Sequence, residues 1–237
     1  MYALITGGTG GIGEAVARQL AAEGYKVGIH SFSSEDKAKS LAAELGGDYY
    51  IADLSQPEES LRLAKEVLER HEKADLIVTC HGRSNVGLVT DFSPEETERI
   101  FEINVLSVMH IVKVLLPAMI RRQRGKIVTV SSMWGECGAS CEVDYSATKG
   151  ALIAYTKALA KEVAPSGINV NSVSPGAVDT KMLSCFSEEE RAALTEEIPA
   201  GRLARPEDIA AAVSFLVSDR AAYINGEVLK VNGAYLT

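Results

Sequence analysis

The 237-residue chain reads as one α/β domain, a parallel sheet doubly wound by helices on both faces. Three observations predict it. Strand-like apolar runs alternate with segments of helical period along the whole chain, the pattern of strands joined by crossover helices. The first strand-like run opens directly into a glycine-rich loop and then a helix. Glycines, serine hydroxyls and the Asp53 carboxylate collect just past successive strand ends, where the ligands of such sheets bind.

Residues 2–5 are the first strand and lead into Thr6-Gly7-Gly8-Thr9-Gly10-Gly11-Ile12-Gly13. Over 14–23, Ala15, Val16, Ala17, Leu20 and Ala21 keep the helical period. Glycines in this context let the backbone turn tightly and approach a pyrophosphate, which rests on the helix N-terminus. A ligand-free turn is the alternative, and five glycines within seven residues argue against it. The second strand, 25–30, ends in Ser31-Phe32-Ser33-Ser34, with no carboxylate before Glu35. A dinucleotide fold that holds a ribose 2′-hydroxyl places an acid there. Hydroxyls suit a 2′-phosphate, so NADP(H) is the expected cofactor; NAD(H) stays open because no Arg or Lys stands in this stretch.

Ala38, Leu41, Ala42 and Leu45 give 34–45 an apolar helical face, and 49–52 is a third strand closed by Asp53-Leu54. Ser55-Gln56-Pro57 opens the next helix. The fourth strand, 75–79, ends at Cys80-His81-Gly82; His81 has no sequence neighbour to work with and is expected to be structural or to line the cofactor. Ser93-Pro94-Glu95-Glu96 is a capping pattern that starts a helical region reaching 119. Its apolar interior holds Asn104, whose amide must find partners. Arginines at 121, 122 and 124 suit the helix C-terminus. The fifth strand, 126–130, delivers Ser131 and Ser132, and a helix from Tyr145 runs to about 164. The sixth strand, 169–173, leads into Ser174-Pro175-Gly176-Ala177-Val178-Asp179-Thr180, and the polar, uneven stretch 181–202 is where an active-site lid is expected. A helix at 206–216 and a strand at 227–231 complete one domain, 1–237, with no linker to divide it.

Ser132, Tyr145 and Lys149 are the chemistry-bearing set. A Tyr and a Lys at i and i+4 share one helix face. The ammonium is expected to lower the phenol pKa and make it a proton donor to a carbonyl oxygen.

Composition bounds the rest. A formal net charge of −8 argues against a nucleic-acid surface and for a neutral or cationic substrate. No uninterrupted apolar run reaches the roughly 18 residues of a membrane span, and the start of the chain lacks the basic stretch of a signal peptide. Cys80, Cys137, Cys141 and Cys185 form no Cys-x-x-Cys pair. Free thiols in a reducing cytoplasm are expected, and no metal site at Cys137 and Cys141, since no His lies near them.

With the glycine loop, Asn104, Ser132, Tyr145 and Lys149 at these spacings, the chain resembles the short-chain dehydrogenase/reductases over essentially its whole length. The resemblance implies a Rossmann-type fold and catalytic roles for Asn104, Ser132, Tyr145 and Lys149. It implies cofactor contacts at Gly7, Thr9, Gly10, Gly11, Ile12, Gly13, Ser31, Asp53, Leu54, Cys80, Gly82, Tyr145, Lys149, Pro175, Gly176, Val178 and Thr180. Tyr145 would protonate the developing alkoxide, Ser132 would orient it, Lys149 would tune Tyr145 and hold ribose, and Asn104 would position a relay water. Two departures stand out: Thr79-Cys80-His81-Gly82 replaces the family's Asn-Asn-Ala-Gly, and Gly10 occupies a position often basic in NADP users.

Among relatives the chain is similar to β-ketoacyl-acyl-carrier-protein reductases. Two arginines that dock the carrier there correspond to Gln123 and Ser166, with Arg121, Arg122 and Arg124 nearby as substitutes. A narrower likeness, carried by 82–88, by 132–143 and by 175–180, is to bacterial elongation factor P 5-aminopentanone reductases. It implies a ketone carried on a lysine of elongation factor P and ending in an amine, for which Glu136, Glu142 or Asp144 is a counter-charge and Trp134 a wall. The alternatives are acyl-carrier-protein or small-ketone reduction and, in another class, a non-catalytic NADP-sensing protein. The resemblance further implies a homotetramer or homodimer.

Overall fold

In the computed structural model, which describes residues 1–183 and 187–236, seven parallel strands form one sheet in the order β3-β2-β1-β4-β5-β6-β7. They are β1 Tyr2–Thr6, β2 Lys26–Ser31, β3 Asp48–Ile51, β4 Leu76–Thr79, β5 Gly125–Val130, β6 Ile168–Pro175 and β7 Val228–Val231. The helices are α1 Gly11–Ala22, α2 Glu35–Leu45, α3 Pro57–His71, α4 Pro94–Phe101, α5 Ser107–Arg122, the short α6 Trp134–Cys137, α7 Val143–Val163, α8 Glu188–Glu196 and α9 Pro206–Val217. Cys185 lies outside the described residues.

Every residue of β1 and β4 is buried, as expected of central strands covered on both faces. Leu4, Ile77 and Ile127 pack beneath α3, α5 and α7 against Leu63, Ile111 and Leu152. Ile5, Ile29 and Val78 pack on the other side against Val16 and Leu20 of α1, Leu41 of α2 and Val213 of α9. Each such side chain contributes roughly 1.5–3 kcal/mol, which makes the sheet centre a rigid base. The order of strands reverses between β1 and β4, and a ligand crevice is expected there, outside the strand C-termini.

The expected doubly wound sheet is present, with most element ends within two residues of those expected. Three local features differ. Helix α1 begins at Gly11, inside the glycine loop, with Gly10 as its N-cap. The long helical region is not uniform: residues Glu102–Leu106 form a π-helical turn between α4 and α5, and Asn104 sits in it. Such turns recur at functional sites. The stretch after Ser132 is partly helical, as α6. By length and composition alone the continuous helical stretch Pro94–Arg122 could span a membrane, but half of its apolar 18-residue window is buried inside the fold, as in the core helix of a globular protein.

Candidate active site

A cavity of about 370 Å³ opens at the β1/β4 switch point, and the glycine loop, the end of β2, Gly82, Ser132, Tyr145, Lys149 and residues from Pro175 to Leu183 line it. A wider groove of about 600 Å³, along residues 55–57 and α4, holds none of these groups. The smaller cavity is therefore the site, because the chemistry lies in it.

The loop is shaped for close approach. A side chain on Gly13 would put its Cβ 2.2 Å from the Gly7 carbonyl oxygen, and one on Gly7 would meet the His81 backbone at 2.8 Å. Gly10 donates to the Gly7 carbonyl at 3.0 Å, and the Glu14 amide makes the first α1 bond to Gly10 at 2.8 Å. No side chain caps α1. The amides of Gly11, Ile12 and Gly13 thus face the cavity at the positive end of the helix dipole, a cradle for phosphate.

Two histidines brace that loop. Gly7 donates its amide to His30 Nδ1 at 3.1 Å, while His30 Nε2 bonds the Ala52 carbonyl at 3.0 Å. His81 Nδ1 meets Thr6 Oγ1 at 2.5 Å, and its Nε2 meets Ser107 Oγ at 2.8 Å and the Ile103 carbonyl at 3.0 Å. Burial lowers the pKa of His30 to about 4 and that of His81 to about 3, so both rings are neutral braces. The sequence expectation for His81, structural or cofactor-lining, agrees with this placement; the role of His30 was not visible in its apolar strand.

Ser132, just past the end of β5, lies beside Tyr145 of α7 in the cavity wall, and its Oγ accepts from the Trp134 amide at 3.2 Å. Gly135 permits this approach, since a Cβ there would lie 2.6 Å from the Lys149 carbonyl carbon. Lys149 is 4% exposed, and its Nζ donates to the Val130 carbonyl at 2.9 Å. Gly82 faces the same point: a Cβ added there would sit 3.2 Å from Lys149 Nζ and 3.4 Å from Asn104 Oδ1. An ammonium carries three donors, and here one has a protein partner. The other two suit ribose hydroxyls or water, and the cradle suits a pyrophosphate, so the residues fit a dinucleotide.

One expectation needs correction. Tyr145 is not tuned downward by Lys149. Burial, aided by the Glu142 carboxylate, raises its pKa to about 12 against the lowering effect of the neighbouring Ser132 hydroxyl. Lys149 Nζ lies 5.6 Å from the ring centroid and is turned to Val130, while burial brings its own pKa down to about 8. The phenol therefore holds its proton firmly, as an acid must, and is not poised to ionise. The Asn104 side chain, fully buried, is a clamp: Oδ1 accepts from the Arg83 amide at 2.8 Å, and Nδ2 donates to the Arg83 carbonyl at 2.9 Å and to Thr148 Oγ1 at 3.0 Å. Both amide donors are committed.

The substrate candidates separate. Glu136 accepts from Ser174 Oγ at 2.6 Å and pairs with Lys230 at 3.4 Å, tying α6 to β6 and β7. Asp144 accepts from Thr97 at 2.7 Å. Glu142 takes a short hydrogen bond from Ser84 and has no ion pair among the described residues. Trp134 lies edge-on to Tyr235, 6.0 Å between centroids. Asp53 accepts from the Ser55 amide at 2.9 Å, and Leu54 is turned into the core. Gly176 packs against Asn232 instead of lining the cavity. Cys80 does line it, with burial pushing its thiol up to about 12. His30, Phe32, Ser33 and Ser34 line the cavity and were not among the expected site residues. Nor was Lys37 at its rim, whose Nζ reaches the Thr9 carbonyl at 2.8 Å and Glu14 at 2.7 Å. No sequence signal pointed to Lys37, because the contact crosses from α2 to the loop before α1.

A Rossmann-type sheet with a glycine cradle at its switch point and a buried Ser/Tyr/Lys set beside it defines a nucleotide-dependent oxidoreductase. Comparison with known proteins agrees. Residues 7–235 match the family model described as Enoyl-(Acyl carrier protein) reductase. The chain is 45% identical to the uncharacterized oxidoreductase YmfI of Bacillus subtilis (strain 168), over 98% of both chains. It is 38% identical to the 3-oxoacyl-[acyl-carrier-protein] reductase FabG of Escherichia coli (strain K12), over 98% of this chain and 95% of that one. It is 35% identical to Nodulation protein G of a Rhizobium species (strain N33), with the same coverage. The chain belongs to the short-chain dehydrogenase/reductase family and is an oxidoreductase of that type, a class that works with a pyridine nucleotide.

Proposed function

We propose that the protein is an NADPH-dependent reductase of a ketone, and that the ketone is the 5-aminopentanone group on a lysine of elongation factor P. The observation that carries the reaction class is the buried Ser132–Tyr145 pair and the Lys149 ammonium, gathered at the mouth of the glycine cradle. Held by the glycine cradle and Lys149, the reduced nicotinamide would supply the hydride, and with it the two electrons, that turn the ketone into a secondary alcohol. The chain's own residues do the rest. Ser132 donates to the carbonyl oxygen and fixes its position. Tyr145 gives that oxygen its proton as negative charge develops, closing the balance of one C–H and one O–H formed for one C=O π bond broken. Lys149 offers its remaining donors to ribose and to the path that returns a proton to Tyr145. Asn104 holds the 83–84 backbone against α7 so that Lys149 faces the cavity.

Three observations support the finer substrate. Glu142 is a half-buried carboxylate without a cation beside Tyr145, which suits an amine-bearing ketone. The positions matching the carrier-docking arginines are Gln123 and Ser166. Of the substitutes, Arg122 is engaged within the fold, with Asp75 at 2.5 Å and the Ala74 carbonyl at 2.9 Å. Acyl-carrier-protein reduction is the second reading, favoured by the relatives so named. The setting we propose is cytoplasmic and the assembly a homotetramer or homodimer; of the expected lid, 181–202, residues 184–186 lie outside the described residues.

Tyr145→Phe tests the reaction: ketone reduction falls at least a thousandfold while cofactor binding survives, and retained turnover refutes the phenol as acid. Intact-mass analysis of elongation factor P from a deletion strain tests the substrate. The unreduced ketone accumulates there if the reading holds; unchanged hydroxylated protein overturns it.

A further inference from the structure

The glycine loop carries no basic side chain of its own, since Gly10 stands where one would serve and 31–34 is Ser-Phe-Ser-Ser. Yet the fold brings a cation to that place. Lys37, two residues into α2, extends back over the loop and donates to the Thr9 carbonyl at 2.8 Å. Thr9 Oγ1 is 2.9 Å from Ser31 Oγ, which also accepts the Ser34 amide at 3.2 Å. Thr9, Ser31, Ser33 and Ser34 all line the cavity at the end of β2. The same Lys37 ammonium is held by Glu14 Oε2 at 2.7 Å, and Glu14 is also bound by Arg18 at 2.9 Å. Arg18 in turn has Glu44 as a second partner.

We propose that Lys37 is the residue that selects a 2′-phosphorylated adenine nucleotide, delivered from α2 in place of a loop arginine, with Glu14 as its resident counter-anion. This rests on the NADP reading above. Three facts converge on it. The cation is anchored by a loop carbonyl, so its position is set by the cradle that holds the pyrophosphate. Lys37 stands at the rim, bonded to the Thr9 backbone, and the Thr9 and Ser31 hydroxyls inside the cavity supply donors for phosphate oxygens without adding negative charge. Glu14 occupies Lys37 from the α1 side; an arriving phosphate dianion shares or displaces that contact, and Arg18 remains to hold the released carboxylate. A plain strut between α1 and α2 uses the same Lys37–Glu14 pair, and the two roles make opposite predictions for Glu14.

Titration calorimetry of the whole protein, with NADP⁺ against NAD⁺ and with adenosine 2′,5′-bisphosphate against AMP, reads the phosphate's contribution as a ratio of Kd values. Lys37→Met lowers the preference for the phosphorylated member of each pair about ten- to hundredfold, the worth of one charge-assisted hydrogen bond. Glu14→Gln raises it, because a competing carboxylate is gone while Gln still reaches Lys37. If both variants lose the preference together, Lys37 is only a strut and the inference is overturned. If the wild type prefers NADP⁺ and Lys37→Met keeps that preference in full, the assignment of Lys37 fails and the NADP reading stands. Equal binding of both nucleotides by the wild type overturns both.

Discussion

Acid should loosen the cofactor loop before it unfolds the rest of the chain, and His30 allows the size of the effect to be worked out. Its ring is 2% exposed, accepts the Gly7 amide through Nδ1 and bonds the Ala52 carbonyl through Nε2. A proton on Nδ1 would displace the Gly7 amide. Burial first, then the charge of Arg62, holds the folded pKa at about 4, below the ordinary 6.5, although the Ala52 carbonyl favours the charged ring. The sign follows from linkage. A depressed histidine pKa means the unfolded chain binds more protons between pH 6.5 and 4, so stability falls as pH drops through that window. At pH 5 the loss from His30 alone is about 2 kcal/mol relative to pH 7. His81 acts in the same direction, its pKa lowered by burial and by the charges of His30 and Lys149, and so does the partly buried His71. The carboxylates held low by ion pairs, such as Asp75 and Asp208, are lost only at more acidic pH. Urea unfolding at pH 7 and pH 5, on wild type and His30→Gln, measures the difference. The variant should lose about 2 kcal/mol of the wild type's pH dependence. Equal slopes in the two proteins would refute the neutral-brace account of His30.

Three further perturbations follow from the same geometry. Gly13→Ala places a Cβ 2.2 Å from the Gly7 carbonyl oxygen, a contact backbone cannot relieve cheaply, so nucleotide affinity measured by calorimetry should fall more than tenfold with the sheet core intact. Asn104→Ala leaves the Arg83 amide and carbonyl and the Thr148 hydroxyl without their partner; a loss of about 2–4 kcal/mol in unfolding free energy is expected, and under 1 kcal/mol would mean the clamp is dispensable. Glu142→Gln removes the carboxylate that helps raise the Tyr145 pKa. The alkaline limb of the pH–rate profile should therefore move to lower pH, and an unmoved limb would place Glu142 too far from the phenol to matter.

How much of this was legible in the sequence depended on range. The glycine loop, the Tyr145–Lys149 spacing and the Ser93 capping box are local patterns, and the structure forms each where its residues stand. The parallel sheet was legible because alternation and crossover length leave few topologies. What escaped was built across the sheet. Lys37 meets Thr9 from 28 positions away, and Glu136 finds Ser174 from 38. His30 looks like one more residue of an apolar strand until the loop folds onto it. The π-helical turn at Asn104 has no signature of its own, and its polar residue reads as an interruption in an apolar helix. The direction of the Tyr145 shift failed for a related reason: sequence spacing gives the distance to a charge but not the burial that outweighs it.

That burial bears on Lys149 too, and sets stability against function. An ammonium 4% exposed, with one protein hydrogen bond, is a costly group to fold around. Its pKa of about 8, lowered from 10.5 by burial, puts that cost at about 3 kcal/mol where the amine is charged in both states. The sign is that of a depressed lysine: the penalty is complete below pH 8 and relieved as pH rises from 8 to 10.5. Lys149→Met keeps the apolar stem and removes the charge, at the expense of the Val130 bond, which is worth about 1 kcal/mol. The ligand-free variant should therefore be more stable than wild type by about 1–2 kcal/mol at pH 7, with the gain fading toward pH 10, while turnover is lost. Ligand-free unfolding curves at the two pH values decide it. A variant less stable than wild type at pH 7 would mean that the buried ammonium has partners in the free protein that offset its desolvation. The cleft would then not be waiting for ribose hydroxyls to supply them.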